Sequence, residues 1–144
     1  MKCIVDARVA LKWFLPDEPG ADVAARLVEA GGLELLAPEW IVPEVCNAVW
    51  KMVRSNRISR AQGELIIAGL PMFFTQLVTT VAEAPRAMDI VLTIDHPIYD
   101  FFYIALAERE NALLVTADDR LLARLPGTPW EARAISLSQW VLRD

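Results

Sequence analysis

Lys2-Cys3-Ile4-Val5-Asp6 is an apolar run closed by an acid, and Leu113-Leu114-Val115-Thr116-Ala117-Asp118 repeats the arrangement late in the chain. Apolar runs this short, rich in β-branched residues, read as buried strands. Between them the pattern alternates. Ala7 to Phe14 reads as a helical turn stopped at Pro16, and Ala21 to Ala30 as an amphipathic helix ended by Gly31-Gly32. Leu33 to Ala37 is a second strand, and Pro38 or Pro43 opens a helix carrying Val45, Val49, Met52 and Val53. Ser59 is placed to cap a helix from Arg60 to Leu70, in which Glu64 serves stability and Gly63 is a weak point. Gln76 to Val81 is a third strand, Ala84 to Ile94 a helix, and Pro97 opens another helix to about Asn111. Asp118 or Asp119 caps a short helix from Arg120 to Leu125. An edge strand, Ala132 to Ile135, and a last helical turn capped by Ser136 or Ser138 complete the chain. Strands alternating with helices predict one α/β domain over residues 1–144, with a parallel sheet covered on both faces. Right-handed crossovers then gather the strand C-termini at one edge, where such sheets bind ligands. Asp6 and Asp118 both fall at that edge.

Composition narrows the function. A length of 144 residues suits one core, and 55% hydrophobic content is enough to build it. The net charge of −5, from 14 Lys and Arg against 19 Asp and Glu, argues against nucleic-acid binding through the whole surface. A substrate held by metals and a local basic strip stays compatible with it. Asp6 and Arg8 interrupt the N-terminal apolar run too early for a signal peptide, and charges break every run short of a membrane span. Cys3 and Cys46 lack metal-binding spacing and read as reduced thiols. A cytoplasmic protein without membrane association is the expectation.

Four acids sit where apolar elements end or begin: Asp6, Glu44, Asp100 and Asp118. Taken singly, Asp6 and Asp118 read as helix caps, and Glu44 as an acid favoured in a first helical turn. Of Asp118 and neighbouring Asp119, one can cap while the other binds metal. Asn47, one turn beyond Glu44, can present an amide beside it. Asp100 lies in Tyr99-Asp100-Phe101-Phe102-Tyr103-Ile104-Ala105-Leu106-Ala107, and an acid in such surroundings is unusual for a solvated face. An unpaired buried charge costs several kcal/mol or more. Roughly four negative charges in one cleft stay ionised only around a divalent cation, which points to metal-dependent phosphoryl transfer. His96, the single histidine, precedes Pro97 and reads as a loop or cap residue rather than a general base.

Ile4-Val5-Asp6-Ala7 with Val9-Ala10-Leu11-Lys12-Trp13-Phe14, Ala37-Pro38, Pro43-Glu44-Val45-Cys46-Asn47-Ala48, Tyr99 to Ala107, and Leu114-Val115-Thr116-Ala117-Asp118 together resemble a PIN domain, in order along nearly the whole chain. More narrowly they resemble the VapC toxins of toxin–antitoxin pairs. The resemblance implies an α/β/α sandwich around a parallel sheet and a Mg2+- or Mn2+-dependent endoribonuclease. It maps the acidic site onto Asp6, Glu44, Asp100 and Asp118, with Thr116 beside them. It further implies a homodimer and a small VapB-like antitoxin that inserts a segment into the active-site groove. One departure stands out. Family members usually carry a small residue where this chain has Arg8. An arginine there can neutralise part of the acidic charge and weaken metal binding, or hold an RNA phosphate, or point to solvent.

Magnesium needs only one or two direct carboxylates because it keeps several waters. Asp6 and Asp118 are the candidates for direct ligation, and Glu44 and Asp100 for holding metal-bound water or a second ion. Lys12, Lys51, Arg54, Arg57 and Arg60 are candidates for an RNA approach. Trp13, Trp40 and Trp50 read as packing residues that can also stack on bases. Ile66 to Phe74 is apolar enough to cover a partner surface. The competing reading is a PIN-like binding module that has lost catalysis, with Arg8 in its favour. An aspartyl-nucleophile phosphatase would want an acid where Arg8 stands.

Overall fold

The structure is a computed structural model that describes residues 1–140. Among the described residues five parallel strands form one sheet: β1 (Lys2–Val5), β2 (Glu34–Pro38), β3 (Gln76–Val78), β4 (Leu113–Thr116) and β5 (Ala134–Ser136), in the spatial order β3-β2-β1-β4-β5. Cys3 pairs with Leu35 on one side and Leu113 on the other, so the first strand is the centre of the sheet. That position explains its composition: Cys3, Ile4 and Val5 are fully buried. Strand order runs outward from β1 to β3, then returns past β1 to β4 and β5. The reversal opens a crevice between the C-terminal ends of β1 and β4, the place where open α/β sheets bind ligands.

The helices are α1 (Ala7–Leu11), α2 (Ala21–Glu29), α3 (Ile41–Arg54), α4 (Arg60–Gly69), α5 (Ala84–Val91), α6 (Tyr99–Arg109) and α7 (Asp119–Arg124). Right-handed crossovers place α1 to α4 on one face and α5 to α7 on the other, giving the three-layer α/β/α sandwich. On the second face α6 packs across β1, β2 and β4, with α5 against it. Phe101, Tyr103, Ile104, Ala105, Leu106 and Ala107 are all buried, so α6 is an interior helix rather than an amphipathic one.

Several boundaries differ from the sequence expectation, each for a local reason. Pro38 closes β2 instead of opening a helix, and Pro43 lies in the first turn of α3, where a missing N–H costs nothing. The third strand stops at Val78 rather than Val81. Thr80 accepts a hydrogen bond from the Trp40 N–H at 3.1 Å, and a 3-10 turn follows over Thr80–Glu83. Helix α5 ends at Val91 rather than Ile94. Asn111, at a φ of 48°, ends the stretch after α6, and the Ala112 N–H returns to the Ala107 carbonyl at 2.8 Å. The edge strand begins at Ala134 because Glu131–Arg133 form a 3-10 turn. Asp118, not Asp119, caps α7. Ser59 and Gln62 form a reciprocal capping box on α4, and Glu64 pairs with Arg60 one turn away.

Gly63 is more than a weak point. A Cβ there would stand 2.9 Å from Val49 Cγ1 and 3.0 Å from Val53 Cγ2, so its bare backbone lets α4 lie close on α3.

Candidate active site

The crevice at the sheet edge gathers residues from four elements. Asp6 follows β1, Glu44 is in the first turn of α3, Asp100 is in the first turn of α6, and Asp118 follows β4. All four line one cleft of about 290 Å³, with Arg8, Trp40 and Tyr99 at its walls. Among the described residues, no lysine or arginine pairs with any of them; His96 is the one basic side chain in contact.

Asp6 is held on both oxygens. Its Oδ1 accepts the Val9 N–H at 2.9 Å, capping α1. Its Oδ2 accepts from the Thr116 hydroxyl and from the Ala117 N–H. Capping and cleft placement are therefore one role. Burial pushes the Asp6 carboxyl up to about 6, against the pull of these hydrogen bonds and with a further push from the Asp100 charge. Thr116 is fully buried and links two acids: its hydroxyl donates to Asp6 and accepts the Asp118 N–H at 2.9 Å. Asp118 Oδ1 accepts the N–H groups of Arg120 and Leu121 at 3.0 and 3.2 Å.

Glu44 receives the Tyr103 hydroxyl at 2.7 Å. Burial, followed by the charges of Asp100 and Asp6, raises Glu44 to about 7. Burial and then Glu44 itself push the Tyr103 phenol well above its ordinary value, so it stays a donor. Asp100 is also raised, chiefly by burial, with Asp118 adding to the effect and the hydrogen bond from His96 opposing it. His96 Nε2 lies 2.6 Å from Asp100 Oδ2. His96, Asp100 and Asp118 present ligand atoms that all lie within 4.8 Å of one another. The donor set fits a hard divalent cation: four carboxylates crowd one cleft, burial raises Asp6, Glu44 and Asp100, and among the described residues no arginine or lysine is bonded to them.

The auxiliary candidates separate. Arg8 is exposed and lines the acidic cleft together with two grooves that flank it. Its charge is felt at Glu44, though more weakly than the acids. Asn47 and Asp119 are exposed and do not line the cleft. Of the basic residues, Lys12, Lys51 and Arg57 share a groove of about 430 Å³ with Arg8, and Arg57 is paired with Glu18 at 2.9 Å. Arg60 is paired with Glu64, and Arg54 lies over the Trp50 ring, 5.3 Å from its centroid. Neither lines that groove. A second groove, about 920 Å³, carries Arg8, Arg120 and Arg124. Trp13 packs in an aromatic cluster with Phe73 and Phe74, whereas Trp40 stacks on Tyr99 at 5.2 Å and 9° at the cleft wall.

Two contacts were missed in sequence. Tyr103 stands three residues after Asp100, one turn along the same helix, and that spacing was the available signal. His96 lies four residues before Asp100, but the pairing depends on how the chain enters α6.

An acid cleft at the topological switch of a parallel α/β/α sandwich defines the class of this protein. A sequence model of the PIN domain matches residues 3–127, and the chain belongs to the PIN domain family. The chain is similar to Ribonuclease VapC3 of Pyrobaculum aerophilum, with 29% identity over 128 residues, 88% of this chain and 96% of that protein. Its fold matches the crystal structure of PAE2754 from Pyrobaculum aerophilum with a TM-score of 0.68 at 21% identity, covering 96% of this chain and 90% of that one. A toxin-antitoxin complex from Klebsiella pneumoniae matches with a TM-score of 0.65 at 15% identity, covering 94% and 97%. Among the described residues, no helix is long and apolar enough to cross a membrane.

Proposed function

We propose that this protein is a Mg2+- or Mn2+-dependent endoribonuclease, the toxin of a toxin–antitoxin pair. One observation carries the reading: four acids from four elements line one cleft, and among the described residues no arginine or lysine is bonded to any of them. Membership of the PIN family and the similarity to Ribonuclease VapC3 support it.

A divalent cation in the cleft would be held by Asp6, Asp100 and Asp118, with Glu44 beside them, and would supply charge neutralisation at the phosphate and a more acidic water. The remaining work falls to the chain. The Val9 N–H and the Thr116 hydroxyl fix the Asp6 carboxylate, and Tyr103 fixes Glu44. These bonds keep the oxygens in place before substrate arrives. Arg8, with Lys12 and Lys51 on one side and Arg120 and Arg124 on the other, offers phosphate contacts to a strand crossing the cleft. The Trp40–Tyr99 stack gives an aromatic surface for a base, and Tyr99 is 54% exposed. The local basic lining reconciles RNA binding with an acidic chain.

A small antitoxin is the proposed protein partner, supported by the likeness to a chain in a toxin-antitoxin complex. A homodimer and a cytoplasmic location belong to the same reading. Exposed Leu65, Ile67 and Met72, on and after α4, are the apolar side chains available to a second copy.

The test is cleavage of single-stranded RNA with added Mg2+ or Mn2+. Cleavage that needs the cation, and that disappears in Asp100→Asn with the circular dichroism spectrum unchanged, is the expected result. Arg8 motivates the second reading, a binding module without catalysis. Failure of the folded protein to bind either cation at millimolar concentration would favour that module.

A further inference from the structure

The aromatic side chains inside α6 are buried or half-buried, but Tyr99, its first residue, is 54% exposed. Its ring lies parallel to that of Trp40, with 5.2 Å between centroids and 9° between planes. Trp40 is the residue before α3, and its carbonyl accepts the Glu44 N–H at 3.3 Å. Its own backbone N–H donates to the Thr80 hydroxyl at 3.1 Å. Tyr99 directly precedes Asp100. The stack therefore joins the starts of α3 and α6, and each ring is carried by a turn that also carries a cleft acid. Both rings line the cleft with Asp6, Glu44, Asp100 and Asp118.

The Trp40 indole differs from two others in the chain. Trp13 Nε1 donates to the Ala24 carbonyl at 2.9 Å, and Trp130 Nε1 to Glu108 at 2.8 Å. Trp40 Nε1 is buried and, among the described residues, has no hydrogen-bond partner. A buried indole N–H ordinarily finds an acceptor. Trp40 is thus placed for its ring, which backs Tyr99 beside the acids. A tyrosine already held by a second ring loses little freedom when another flat group lies on it.

We propose that Tyr99, backed by Trp40, takes the unpaired base of a nucleotide flanking the scissile phosphate and so restricts cleavage to single-stranded or looped RNA. This rests on the reading of the cleft as a ribonuclease site and adds a requirement on the substrate's base. A base inside a helix is stacked on its neighbours and reaches Tyr99 only when splayed out. Every base has a π-face, so the contact asks for an unpaired base rather than for one sequence. Because Tyr99 and Asp100 are adjacent in one turn, a nucleotide stacked on the ring has its phosphate beside the acids. Arg8 lines the same cleft and is the guanidinium available to that phosphate.

The experiment uses the full chain with Mg2+ or Mn2+ and a mixed-sequence single-stranded RNA whose main cut site is mapped first. Abasic residues are then placed one at a time on either side of that site. One flanking position should be sensitive, losing about tenfold or more in kcat/KM when its base is removed. Tyr99→Ala should lose a similar factor on the intact RNA, and the abasic substitution should then cost less than about twofold more, because both changes remove one contact. Tyr99→Phe should restore the dependence on the base, since the ring and not the hydroxyl carries the stack. The same site closed in a duplex should be cut at least about tenfold more slowly. An abasic penalty as large in Tyr99→Ala as in the wild type, no sensitive position at all, or a duplex cut as fast as the single strand would overturn the proposal and leave the ribonuclease reading intact. A folded protein that cuts no RNA with either cation would overturn that reading and this proposal together.

Discussion

The two ends of α6 carry acids in opposite states. Asp100 sits in its first turn, where the helix dipole favours a negative charge, yet its carboxyl is raised. Glu108 and Glu110 lie at the other end, where the dipole disfavours them, yet both are lowered. Burial and partners therefore outweigh the dipole at both ends. Arg86 grips Glu108 with two hydrogen bonds of 2.7 and 3.0 Å, and the Trp130 indole adds a third at 2.8 Å. Lys2 pairs with Glu110 at 2.8 Å, and Arg109 pairs with the buried Glu83. The cleft acids accept hydrogen bonds, but among the described residues none has an arginine or lysine partner. One end of the helix is finished as structure, and the other keeps carboxylate charge in reserve for something the chain does not itself supply.

The comparison breaks most sharply in catalysis. Asp6→Asn and Asp100→Asn should lower RNA cleavage by a factor on the order of 10³ or more, measured at saturating Mg2+ or Mn2+. Glu108→Gln, at the other end, should leave the rate unchanged. A wild-type rate in either aspartate variant would remove that residue from the mechanism.

Stability against pH should also separate the two ends. Asp6 rises from 3.8 to about 6 on folding, and Glu44 from 4.5 to about 7. A folded state that holds protons more tightly than the unfolded one gains its stability at low pH and loses it as pH rises. These two acids therefore contribute fully below about pH 4, and their contribution is gone once pH passes through about 7. The metal-free protein should melt roughly 5 °C lower at pH 7.5 than at pH 5, unless the lowered acids at the far end offset the loss. Adding Mn2+ should flatten or reverse that slope, because the cation favours the ionised carboxylates. Calorimetry with and without the ion reads both effects.

Neutral substitutes should sharpen the contrast. Glu44→Gln in the metal-free protein removes one of the crowded charges and should raise the melting temperature at pH 7.5 by a few degrees. Arg86→Ala should do the reverse at the paired end, lowering the melting temperature as Glu108 loses its bidentate partner and the Trp130 ring loses its cation. The smallest effect, a shift of the urea midpoint near the limit of measurement, belongs to Lys2→Ala, since that pair lies at the surface and is screened by salt. Urea denaturation at matched pH measures all three.

Much of this arrangement could be read along the chain. Asp6 and Asp118 announced themselves by closing apolar strands, and Asp100 by interrupting an aromatic helix. The α/β alternation, the Ser59 cap and the switch-edge placement followed from the same patterns. Other features left no local trace. Thr80 ends β3 early through a bond to Trp40, which is forty residues away. Gly63 looked like a flaw because propensity alone does not reveal that Val49 and Val53 leave no room for a Cβ. Asn47 seemed a partner for Glu44 by helical spacing, but the structure leaves it exposed and gives Glu44 the Tyr103 hydroxyl instead.

By itself the sequence determined which acids stand at element ends and which elements are apolar enough to be buried, because periodicity and strand length are local properties. Tertiary structure alone decided that those ends meet, that Thr116 ties Asp6 to Asp118, and that His96 turns toward Asp100. Strand order sets such meetings, and it is fixed by the packing of the whole sheet between its helices. A carboxylate's chemistry depends on its neighbours in space, and here those neighbours are as far as 111 residues away along the chain.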